Sequence, residues 1–98
     1  MPNVSTASRL IPRENVAYRA TDTGGMLIDL QTGGCFELNK VGRTIWARLT
    51  AGDTVEDIVN VLRSQFDMEP NVLEADVKRL CVEVLNAGLA DVRNLEPT

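Results

Sequence analysis

The chain has no histidine, and that absence removes more chemistry than any other feature of its composition. Without histidine there is no cysteine–histidine zinc site and no Cys-His or Ser-His catalytic pair. The two cysteines, Cys35 and Cys81, lie far apart and form no CxxC pair. They read as buried, reduced thiols that behave as small hydrophobes. Basic charge is also short: 10 Lys and Arg stand against 14 Asp and Glu, giving a net charge of −4. A nucleic-acid partner, whose phosphates demand a basic face, is disfavoured, whereas a basic or neutral peptide is compatible. No apolar run approaches the roughly 18 residues of a membrane span, and no signal-like segment opens the chain. A cytoplasmic, non-membrane protein is expected. The paired glycines at 24–25 and 33–34 are too few and wrongly spaced to cradle a phosphate, and hairpin turns account for them. Most carboxylates, such as Glu56, Asp57, Glu69 and Glu74, fall at helix starts or on solvated faces. Dipole complementation explains those better than acid–base catalysis does. An enzyme is not expected, and no metal or cofactor is implied.

What is present is one small domain of 98 residues with 44% hydrophobic content. It is organised around the stretch from Gly25 to Leu49. Met26 to Leu30 reads as a strand, Thr32-Gly33-Gly34 as a tight turn, and Cys35-Phe36-Glu37-Leu38 as a second, short strand. Asn39 is a good N-cap for a helix carrying Val41, Ile45, Trp46 and Leu49. Upstream, Asn15 to Thr21 alternates like a half-buried strand, followed by a turn over Asp22 to Gly25. These segments predict a three-stranded antiparallel meander whose last strand has an open edge. Residues 1–13 show no periodicity and read as a loosely held N-terminal arm.

Thr54-Val55-Glu56-Asp57 has the form of a capping box with Asp in place of Glu, opening a helix from Val55 to about Phe66. Pro70 suits the first position of a third helix that runs to Asn86, with Gly88 at the left-handed position beyond its end. On that helix Leu73, Val77, Leu80 and Val84 share a narrow arc, with Asp76 and Glu83 on one flank. Leu89 to Val92 reads as a short extended tail, and residues 93–98 as a frayed end. The expected fold is α+β: three strands, then three helices, with the second and third helices resembling a helix-turn-helix and the sheet as its wing. Such a winged helix-turn-helix raises the alternative of a DNA-binding regulator. The third helix, however, offers only Lys78 and Arg79 among Glu74, Asp76 and Glu83. A sheet with an open last strand fits peptide capture by strand addition better. The same edge also offers a place for the N-terminal arm or for a second copy, which would make a homodimer.

The run Gly25 to Gly33, then Phe36-Glu37-Leu38-Asn39-Lys40-Val41-Gly42 and Ile45-Trp46, resembles the PqqD-like family. So do Thr54 to Val59, Asp76-Val77 and Gly88-Leu89, so that the likeness spans residues 14–92. The resemblance implies a recognition element for ribosomally made, post-translationally modified peptides, of the stand-alone kind found in lasso-peptide biosynthesis. It implies a precursor leader peptide bound as an extra strand beside the third helix and presented to a separate leader peptidase or other modifying enzyme. Carried over by position, the peptide-binding residues are Cys35, Phe36, Glu37 and Leu38 on the strand. On the helix they are Leu73, Asp76, Val77, Arg79, Leu80, Glu83 and Val84. Asp76 is expected to meet a Lys or Arg of the leader.

Overall fold

The computed structural model describes residues 4–93. Five strands and three helices follow in the order β1 (Arg9–Pro12), β2 (Val16–Thr21), β3 (Gly24–Asp29), β4 (Cys35–Asn39), α1 (Lys40–Thr50), α2 (Val55–Gln65), α3 (Pro70–Asn86) and β5 (Ala90–Arg93). The three-stranded antiparallel sheet has the order β2-β3-β4, and a separate two-stranded sheet pairs β1 with β5. The fold is α+β, as expected, with the three predicted helices in place.

Local chemistry explains the element ends. Asn39 caps α1 by accepting a hydrogen bond from the Gly42 backbone N–H at 2.7 Å. At the start of α2, the Thr54 hydroxyl accepts from Asp57 N–H, and the Asp57 carboxylate accepts from Thr54 N–H. This is the capping box read from the sequence, with Asp in the third position. Pro70 opens α3, where its missing N–H costs nothing, and Gly88 follows the helix at φ +75. The β3–β4 connection turns on Gly33, at φ +80, and on the Asp29 side chain. That carboxylate accepts from Gln31 and Thr32 N–H groups and from the Asn15 amide.

The N-terminal segment departs from the sequence reading. Residues 9–12, expected in a loosely held arm, form β1 and pair with β5, placing Leu10 opposite Val92. Leu10 is buried in the core. Ahead of it, the carbonyls of Thr6 and Ser8 accept from the first N–H groups of α2, at Glu56 and Val55, which no residue of α2 itself can satisfy. The expected extended tail is β5, which includes Arg93; residues 94–98 of the expected frayed end lie outside the described residues. Gly24 and Gly25, expected in the turn, belong to β3, and α2 stops one residue short of Phe66.

One core joins the parts. Leu27 and Leu38 from the sheet meet Ile45, Trp46 and Leu49 of α1, Ile58 and Leu62 of α2, and Leu73, Val77 and Val84 of α3. Burial of side chains such as these, each worth about 1.5–3 kcal/mol, supplies the stability of the domain.

Candidate functional site

β4 is a five-residue edge strand: it pairs with β3 on one side, with Phe36 opposite Leu27 and Leu38 opposite Gly25. Among the described residues no strand lies on its other side. β1 does not cover that side, because it is committed to β5. Along β4, Phe36 and Leu38 turn toward the helices while Cys35, Glu37 and Asn39 are exposed, the period of two expected of a half-buried strand.

A groove of about 320 Å³ runs beside this strand. One wall is β4 from Phe36 to Asn39, and the opposite wall is α3 at Asp76, Arg79, Leu80 and Glu83. Its floor comes from Val41, Gly42 and Ile45 of α1, and Met68 closes one end from the α2–α3 connector. Three residue steps of β4 and seven of α3 each span about 10 Å. The two walls therefore match in length and accommodate about three residue steps of an extended chain.

The structure sorts the residues expected from the sequence. Phe36, Glu37, Leu38, Asp76, Arg79, Leu80 and Glu83 come together around the groove. Leu73, Val77 and Val84 do not; each is fully buried in the core. They lie on the arc of α3 that packs inward, so their side chains hold the helix rather than wall the groove. Cys35 borders a smaller cavity of about 110 Å³ beyond Phe36, with Ala87 and Leu89 at the far end of α3. Cys35 is exposed, which corrects the expectation of two buried thiols, whereas Cys81 is buried, and both are free. Burial pushes the Cys81 thiol up to about 12, leaving it unreactive at neutral pH. Sequence reasoning missed Asn39, Val41, Gly42, Ile45 and Met68. The periodicity of α1 marks Val41 and Ile45 as apolar, but only the packing reveals that they form a groove floor.

The charged rim has a definite arrangement. Arg79 lies between two carboxylates of its own helix, 3.5 Å from Asp76 and 3.9 Å from Glu83. Lys78 pairs with Glu74 at 3.5 Å. Both basic side chains that a DNA-reading α3 would need are thus engaged by acids, and the DNA-binding alternative gains nothing from the structure. Among the described residues no group of three His, Cys, Asp or Glu side chains is placed to hold a metal ion. No helix among them is long and apolar enough to cross a membrane.

A family model described as coenzyme PQQ synthesis protein D (PqqD) matches residues 24–90, which take in β3, β4 and all three helices. No curated protein matches the chain in sequence. Two solved structures share its fold. One is TbiB1 in complex with the TbiA(beta) leader peptide, with a TM-score of 0.76 and 27% identity, covering 83% of this chain and 94% of that one. The other is lasso peptide synthetase B1 complexed with the leader peptide, with a TM-score of 0.75 and 28% identity, covering 87% and 98%.

Proposed function

The chain belongs to the PqqD family, and from that premise we propose that it binds the leader segment of a ribosomally made precursor peptide, adding it as a strand to β4. The observation that carries this reading is the open edge of β4 lying directly against a groove of matching length. Backbone hydrogen bonds to β4 supply affinity, and an apolar side chain of the leader seated on Leu80, Ile45 and Val41 supplies selectivity. The likeness to two leader-bound proteins, one of them a lasso peptide synthetase B1, supports the choice of ligand and pathway. In this reading Phe36, Glu37, Leu38, Asp76, Arg79, Leu80 and Glu83 contact the peptide, and Cys35 marks the far end of the added strand.

The protein acts in the cytoplasm as a non-catalytic carrier that presents the bound precursor to a separate leader peptidase. A second copy competes for the same edge. Pairing β4 with its own copy in the full antiparallel register sets Glu37 opposite Glu37, and like charges directly opposite each other destabilise a sheet. Leader capture is therefore the primary use of the edge and homodimerisation the secondary one. A short precursor gene beside genes for a protease and a synthetase would identify the leader. Two N-methylated forms of that leader then test strand addition, because methylation removes the N–H on alternate residues. Only one set of alternate N–H groups points at β4, so one form should lose binding and the other retain it. Equal binding of both forms to that of the unmodified leader would overturn the proposal.

A further inference from the structure

The groove is acidic, and among the described residues lining it Arg79 is the one cation. On the α3 wall, Asp76 and Glu83 stand against Arg79, two carboxylates to one guanidinium. Asp76, Arg79 and Glu83 fall at i, i+3 and i+7 on α3, so they form one stripe along the groove wall. Arg79 is 72% exposed and makes long contacts with its two neighbours, at 3.5 Å and 3.9 Å, whereas Asp76 is 29% exposed. Such an exposed, loosely held cation exchanges partners at little cost. From the opposite wall, Glu37 turns its carboxylate away from the core, onto the side of the sheet where alternate residues of an added strand point.

We propose that Arg79 is an internal counter-ion that sets the charge class of the leader. It occupies Asp76 and Glu83 in the empty groove and yields them to a Lys or Arg of the incoming peptide, so that the protein selects basic over acidic leaders. The inference rests on the leader-binding reading above, and the carboxylates form no site apart from that groove. Arg79 is a specificity-determining residue whose removal strengthens binding. A guanidinium that instead held a leader carboxylate would give the opposite sign.

The test is selection of a displayed library of random peptides on the immobilised full chain and on two variants, Arg79→Gln and the double variant Asp76→Asn with Glu83→Gln. The most enriched peptide is then synthesised in a form with Lys and a form with Glu beside its apolar anchor. Both forms are titrated at low and high salt, with amide exchange of β4 recorded for each. The unsubstituted chain should enrich Lys and Arg over Asp and Glu. Arg79→Gln should bind the Lys form about two- to fivefold more tightly at low salt, with the gain lost at high salt. The double variant should lose the preference while the peptide still protects β4. Weaker binding of the Lys form to Arg79→Gln, or no change at low salt, would overturn the inference and leave strand addition standing. Enriched peptides that leave β4 unprotected in the unsubstituted chain would overturn the leader-binding reading and this inference together.

Discussion

At the scale of single residues, Leu80 and Asp76 separate packing from recognition, because they sit on the same groove wall with different burial. Leu80 is 9% exposed and belongs to the core as well as to the groove. Leu80→Ala should lower stability by about 2–5 kcal/mol and weaken leader binding at the same time. Asp76, part-buried, pairs with the exposed Arg79 at 3.5 Å, a solvent-screened kind of pair worth about 0–1 kcal/mol. Asp76→Ala should therefore melt close to the unsubstituted chain while binding a basic leader less well, more so at low salt than at high. Calorimetric titration alongside thermal melts reads both. Normal binding of a basic leader by Asp76→Ala at low salt would remove the charge role. The thiols report separately, Cys35 from β4 and Cys81 from the core face of α3. A maleimide should label Cys35 on the folded chain and Cys81 only after denaturation. Saturating leader should slow the first reaction, and equal rates for the two thiols would contradict the buried position of Cys81.

At the scale of elements, what the sequence revealed and what it hid have a common physical cause. The helix ends were legible because their signals are local: Asn39, the Thr54–Asp57 box, Pro70 and Gly88 each act within a turn of where they sit. β1 and β5 were not legible as a pair. Each has four residues, and their partners lie at opposite ends of the chain, so no local periodicity announces the pairing of Leu10 with Val92. The site divides in the same way. β4 and the α3 rim were visible as a strand and a helix flank, while the floor from α1 and the end formed by Met68 exist only once the three helices pack. The capping box also makes α2 sensitive to acid. The Thr54 backbone N–H and hydroxyl hold the Asp57 carboxyl below its ordinary value of 3.8. A pKa lower in the folded state than in the unfolded chain adds stability that is fully present above that ordinary value. The stability is lost as pH falls through the depressed one. Asp57→Asn should thus melt below the unsubstituted chain at neutral pH, and the gap should close under acid below about pH 4. A gap that persists unchanged into strong acid would show that the carboxylate charge is not what the box uses.

At the scale of the whole molecule, the domain commits its backbone unevenly. The N-terminal segment ties α2 and β5 together on one side, through Thr6, Ser8 and β1. Among the described residues, that arrangement leaves β4 uncovered beside α3. β2 is the sheet's other outer strand, and it lies across β3 from the groove. Strand addition therefore predicts an asymmetric response to the ligand. The most direct measurement is amide hydrogen exchange of the full chain with and without saturating leader. Alternate amides within Cys35–Asn39 should slow on binding, while those on the outer side of β2 should keep their rates. Unchanged exchange across β4 at saturation, or protection confined to β2, would contradict leader capture on the β4 edge.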